Sequence, residues 1–182
     1  MKVCSWDIGI KNLAYCLLET ESKTILEWKL IDLNVTKKDS KDVLCFKIFE
    51  VAELFLQNNP SVDVILIENQ PCLKTPIMKS IQMILFTTFL YITKINNEKR
   101  EIKFVSPINK LRYFEKNTYI PENIVCKKKK AIYVCEKLLS SSIENNQKNK
   151  DHLDTFNSAK KKDDLSDSFL YCMWFSIVKL RK

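Results

Sequence analysis

Lys2-Val3-Cys4-Ser5-Trp6-Asp7-Ile8-Gly9-Ile10-Lys11-Asn12-Leu13-Ala14-Tyr15-Cys16-Leu17-Leu18-Glu19 opens the chain with two apolar runs separated by a short polar break. Lys2–Asp7 reads as a buried strand, Gly9 marks a turn, and Leu13–Glu19 reads as a second strand. A third run, Thr24–Leu33, follows closely, and three strands so tightly spaced predict an antiparallel meander. Asp7 closes the first run. A carboxylate at the end of a buried strand is costly unless it is paired or binds a cation.

Further along, apolar residues at 44, 48, 51, 52 and 55 give Lys41–Gln57 a helical period, which Asn58-Asn59-Pro60 stops. Val62–Ile67 reads as a strand ending at Glu68, and Ile77–Ile95 as a long helix apolar around much of its circumference. Such a helix belongs either in a core or in a subunit interface. Its apolar stretch, broken by Gln, Thr and Lys, reads as too short for a membrane span. Glu101–Val105 is a short strand ended by Ser106-Pro107, and Lys127–Leu139 is a helix opening on four lysines. The polar segment from about 140 to 160 reads as a loop or partly disordered insertion, either a ligand-contacting loop or a spacer. Leu165–Leu180 is the final helix. The order predicts an α/β fold in a single domain over residues 1–182: three antiparallel strands, then parallel ones, flanked by helices.

The 182 residues are 46% hydrophobic and 29% charged, which excludes a disordered chain, and the net charge of +8 suits a polyanionic partner or a Lys-rich solvated surface. Seven cysteines lie scattered with no CxxC pair, so neither a zinc nor a disulfide framework is expected, and a reducing intracellular compartment is. The N-terminus shows no signal-peptide pattern. His152 is the one histidine and sits in a polar stretch, which argues against a histidine-based triad.

The chemistry therefore rests on acids inside a basic protein. Asp7 and Glu68 close strands, and Asp164 and Asp167, at i and i+3, share one face at the start of the last helix. Cleavage of a phosphodiester with two divalent ions needs several carboxylates converging on metals roughly 3.5–4 Å apart. Hard cations such as Mg²⁺ take oxygen ligands. Asp163 and Asp164 also suit helix capping, Asp7 a turn, and Glu68 a solvated strand exit.

Four segments carry a family likeness. They are Ser5-Trp6-Asp7-Ile8-Gly9-Ile10-Lys11-Asn12-Leu13-Ala14, Leu66-Ile67-Glu68-Asn69-Gln70-Pro71, Val105-Ser106-Pro107 with Lys110 beyond, and Lys161-Lys162-Asp163-Asp164-Leu165-Ser166-Asp167-Ser168. In order and spacing the chain resembles the RuvC-type Holliday junction resolvases of the RNase H-like superfamily. The likeness is strongest to the branch holding the poxvirus and fungal mitochondrial enzymes, and the A+T-rich residue usage favours a poxvirus. The resemblance implies an RNase H-like mixed sheet and a metal site of Asp7, Glu68, Asp164 and Asp167, with Asp163 as the rival for Asp164. It places Lys110 close to the scissile phosphate. It further implies two Mg²⁺ per subunit, with Mn²⁺ able to substitute, and a homodimer acting on four-way junctions and other branched DNA. The expected reaction is paired symmetric nicking that leaves 5′-phosphates, in viral recombination and concatemer resolution, with no membrane association. The expected setting is the host cytoplasm, at sites of viral DNA replication.

Three rival functions share parts of this pattern. An actin-like ATPase shares Asp-x-Gly but needs further glycine-rich phosphate loops, and Gly9 is the single glycine. Another RNase H-like nuclease, cutting branched or hybrid nucleic acid, would use the same acids. A basic architectural DNA-binding protein accounts for the charge but not for the acids. The lysines at 127–130 are either phosphate contacts or a solvated run.

Overall fold

The structure, a computed structural model, describes residues 1–36, 38–71, 76–145 and 149–179, without the side chains of 142–145 and 179. Five strands form one sheet in the order β3-β2-β1-β4-β5: β1 Lys2–Asp7, β2 Leu13–Glu19, β3 Thr24–Ile31, β4 Val64–Glu68 and β5 Glu101–Val105. β1, β2 and β3 pair antiparallel, whereas β4 runs parallel to both β1 and β5. This is the mixed sheet predicted. Gly9 makes the first turn possible, because a Cβ there would stand 2.6 Å from the Asn12 carbonyl oxygen.

Helices cover both faces, which is why β1, β2 and β4 are buried on both sides and read as nearly continuous apolar runs. α1 (Lys41–Asn58) and α2 (Pro76–Ile95) cover one face, packing Ile48, Phe55, Ile81 and Phe89 against Cys4, Trp6, Ile65 and Ile67. Trp6 stacks on Tyr15 at 4.7 Å and meets Phe55 edge-on at 5.2 Å. That aromatic knot anchors alternate residues of β1, so Val3, Ser5 and Asp7 project to the opposite face. There α3 (Asn109–Asn117), α4 (Lys127–Asn145), α5 (Lys150–Ser158) and α6 (Lys162–Trp174) pack on Val3, Val64 and Leu66.

α6 lies across β1 and β2, and its rotation is pinned by hydrogen bonds. Trp28 Nε1 donates to the Leu165 carbonyl and to Ser168 Oγ, both at 3.1 Å, and Ser5 Oγ donates to the Ser168 carbonyl. With Leu165 and Ser168 held against the sheet, Asp167 is left facing the carboxyl ends of β1 and β4.

Several expectations need correction. α3 is absent from the sequence reading, because its nine residues are mostly Asn, Lys, Arg and Glu, with Leu111, Tyr113 and Phe114 as the apolar ones. The polar segment at 140–160 carries helix where a loop was expected: α4 runs on to Asn145, and α5 occupies Lys150–Ser158. Two buried residues pin it. Phe156 stacks on Trp28 at 5.2 Å, and Asn149 Oδ1 accepts a 3.0 Å hydrogen bond from the Ile25 amide. His152, in the same segment, is half-buried, and its burial lowers its pKa. The third strand stops at Ile31, and the last α-helix gives way to a π-helical turn at Phe175–Lys179. Leu180 and Cys72 lie outside the described residues. By length and composition α2 does reach the size of a membrane-spanning helix, contrary to the sequence reading. It packs on α1 and the sheet through Ile81, Leu85, Phe89 and Ile92.

Candidate active site

Trp6 pairs with Ile67, so Asp7 and Glu68 come next on adjacent parallel strands, on the α6 side. Both are nearly buried, at 7% and 8% exposure. The β4 exit is fixed from α2: the Gln70 amide donates to Gln82 Oε1 at 2.7 Å, and Lys79 Nζ donates to Asn69 Oδ1 at 2.9 Å. The Asn69 amide donates to the Val105 carbonyl at 2.8 Å, which holds the end of β5 alongside. Ser106-Pro107 then turns the chain into α3, whose second residue is Lys110. Its ammonium reaches Asp167 Oδ2 at 2.5 Å and Glu68 Oε1 at 3.5 Å.

Asp7, Glu68, Lys110 and Asp167 thus converge outside the carboxyl ends of parallel strands, where open α/β sheets place their ligands. Burial pushes the Asp7 carboxyl well up, and the adjacent Glu68 adds to the effect through hydrogen bonding and charge. Burial likewise raises Asp167 to about 6; Lys110 opposes that rise, while Glu68 and Asp164 assist it. Lys110 loses charge stability to burial but gains more from Asp167, Glu68 and Asp7, so its ammonium is held above the ordinary range.

The final acidic pair divides its roles. Asp163 makes an ion pair with Lys128 at 2.5 Å, and that ammonium holds its carboxyl low against the upward push of burial. Asp164 is half-buried, and burial followed by the Asp163 charge raises it. It makes no ion pair among the described residues and acts on Asp167 through its charge.

Among the described residues, no three His, Cys, Asp or Glu side chains close into a ready cage for a metal. The donor set still fits a hard divalent cation, because the ligands on offer are carboxylate oxygens, with Asp7 and Asp167 raised first by burial and further by their acidic neighbours. One lysine does not balance Asp7, Glu68 and Asp167.

Two residues here escaped the sequence reading. Tyr171, one turn beyond Asp167, lies fully buried with its ring 5.2 Å below the Lys110 ammonium. In the sequence it is one more apolar residue of a buried helix. Gln82 reads there only as one of the polar breaks in the long apolar helix, with no role attached to it.

Residues 1–179 match the family described as Poxvirus A22 protein. The chain belongs to that family. An uncharacterized protein of Acanthamoeba polyphaga mimivirus is 36% identical over 120 residues, 60% of this chain and 28% of that protein. The chain therefore spans less than a third of that relative's length. Among solved structures, the yeast mitochondrial Holliday junction resolvase Ydc2 superposes with a TM-score of 0.71 at 18% identity, over 96% of this chain and 78% of that one. Thermus thermophilus RuvC in complex with a Holliday junction substrate gives 0.61 at 9% identity, over 97% and 94%. The fold of this A22 family member is the RuvC-type, RNase H-like one.

Proposed function

We propose that this protein is a Holliday junction resolvase, a divalent-metal endonuclease that places paired symmetric nicks across four-way DNA junctions. The observation that carries the reading is the gathering of Asp7, Glu68 and Asp167 around Lys110 at the strand ends, inside a chain of net charge +8. Family membership and the RuvC-type fold support it.

Asp7, Glu68, Asp164 and Asp167 would hold the metals. Mg²⁺ or Mn²⁺ bound there would supply an activated water and would neutralise charge on the scissile phosphate. Lys110 is placed to stabilise charge on the phosphoryl oxygens as the transition state forms. Glu68 and Asp7, on rigid strand ends, fix the geometry, and the buried α6 presents Asp164 and Asp167 from across the cleft. In-line attack with departure of the 3′ oxygen leaves 5′-phosphate ends that can be ligated.

Paired cuts require two active sites. The outer face of α2 carries exposed Met83, Leu90 and Tyr91 at a spacing of seven and eight residues, an apolar stripe suited to a second copy of this chain. The setting that goes with a poxvirus family member is the host cytoplasm, at sites of viral DNA replication.

The test uses end-labelled four-way junctions, with and without Mg²⁺, and the Asp7→Asn and Glu68→Gln variants. Symmetric ligatable nicks are expected from the wild type only with the metal. Both variants should bind junctions and cut none. Junction binding without nicking in any divalent ion would make the protein architectural, and full activity in a variant would remove that residue from the site.

A further inference from the structure

Between the start of α3 and the start of α4 a cleft of about 390 Å³ opens directly onto Lys110 and Asp167. Its size is that of a pocket for one small ligand, and a duplex cannot enter it. One wall is apolar, made by Pro107, Ile108 and Leu111. Ile108, two residues before the catalytic lysine, is 62% exposed on the rim.

Arg112, on the same helix as Leu111, and Lys127 and Lys128 at the start of α4 make the lining cationic as well. Lys128 is committed to Asp163 at 2.5 Å, and the Glu115 carboxylate in the same cleft is taken by Lys130 at 3.0 Å. Arg112 and Lys127 have no carboxylate partner among the described residues. The cleft therefore offers an apolar ledge together with uncompensated positive charge, beside the residues assigned to phosphate chemistry. A single nucleotide has the matching chemistry: a flat base with apolar faces, and an anionic phosphate.

We infer that this cleft receives the one nucleotide flanking the scissile phosphate, unstacked, with its base against Pro107 and Ile108 and its own phosphate held by Arg112 and Lys127. The inference rests on the resolvase reading and adds a source of substrate selectivity to it. Apolar side chains inserted at base steps are an established means of unstacking DNA. Inside a continuous duplex the flanking nucleotide must first be pulled from its stack, which is costly. At a branch point that stacking is already interrupted. Selectivity for branched DNA then follows from a cleft that admits only an unstacked nucleotide.

A junction carrying 2-aminopurine beside the scissile phosphate, bound in Ca²⁺ so that it stays uncut, reads this directly. The expected result is a several-fold rise in fluorescence on binding, absent when the probe sits three nucleotides away. Ile108→Ser should remove at least half of the rise at saturating protein. Arg112→Ala with Lys127→Ala should weaken binding about tenfold and lower the slope of log affinity against log salt by about one or more. All three positions are exposed, and thermal melts confirm folding of the variants.

Equal signals at the two probe positions, or unchanged signals and salt slopes in the variants, overturn the proposal. If wild type then still nicks junctions in Mg²⁺, the resolvase reading stands without it. A wild type that neither binds nor cuts junctions overturns both.

Discussion

Lys110 Nζ stands 2.5 Å from the Asp167 carboxylate, across 57 residues of sequence, and 3.5 Å from Glu68. One cation therefore bridges two acids from different elements, and its charge matters twice. It offsets carboxylate repulsion in the free protein, and it stands ready for a phosphate when DNA arrives. Lys110→Ala is expected to lower the nicking rate by about 100-fold, the usual cost of removing one charge-stabilising donor. Junction affinity should stay within about threefold, because a net charge of +8 leaves many other lysines available to a polyanion. Single-turnover cleavage and equilibrium binding separate the two effects; equal losses in both would reduce Lys110 to a phosphate contact.

The carboxyls give the site a pH signature. Asp7 and Asp167 are both raised, chiefly by burial, Asp167 to about 6. A carboxyl whose folded pKa lies above its unfolded value contributes stability that is full below the unfolded pKa, near 4. That contribution is lost as the pH rises through the folded value. In metal-free protein, Asp7→Asn should therefore match wild type near pH 4 and become progressively the more stable of the two as the pH rises above it. A gap on the order of 1 kcal/mol or more at pH 7.5 is expected from chemical denaturation. The affinity of wild type for Mn²⁺, measured by calorimetry, should rise between pH 5 and 7 as Asp167 ionises. A gap that shrinks with rising pH would mean that Asp7 is ionised and favourably paired.

Much of this site could be read from the chain, because acids that end apolar strands violate the local pattern and so stand out. Asp7 and Glu68 were visible for that reason, as was the meander around Gly9. The structure gathers them with Lys110 and Asp167. Tyr171 was hidden because a buried tyrosine in an apolar helix breaks no rule. The helix that carries Lys110 was hidden because it is only nine residues long and mostly polar or charged. The segment at 140–160 looked unstructured, since its order depends on two distant contacts, Phe156 with Trp28 and Asn149 with Ile25. Local polarity does not report such pairings.

Asp163 and Asp164 make opposite predictions. Asp163 is spent on Lys128, a largely exposed lysine whose ion pair is worth little energetically. Asp164 shares the face of Asp167 at i and i+3, and its carboxyl is raised by burial and by the charge of Asp163. Asp164→Asn should cut nicking by more than 100-fold and weaken Mn²⁺ binding, whereas Asp163→Asn should stay within about fivefold in both. A reversed order, read in parallel cleavage and calorimetry, would shift the ligand assignment by one residue.

Tyr171 supports Lys110 from below, and its two halves can be tested separately. The ring lies 5.2 Å from the ammonium, a cation–π distance. The hydroxyl is buried without a hydrogen bond of normal geometry, although the Glu68 carboxylate is near enough to raise its pKa further after burial. An unmet buried donor costs about 1–3 kcal/mol. Tyr171→Phe keeps the ring and removes that donor, so metal-free protein should gain about 1 kcal/mol with junction affinity unchanged. Tyr171→Leu removes the ring and should lose both stability and nicking rate. If Tyr171→Phe instead loses more than about 1 kcal/mol in denaturation, the hydroxyl is satisfied in solution, with Glu68 as the partner to examine.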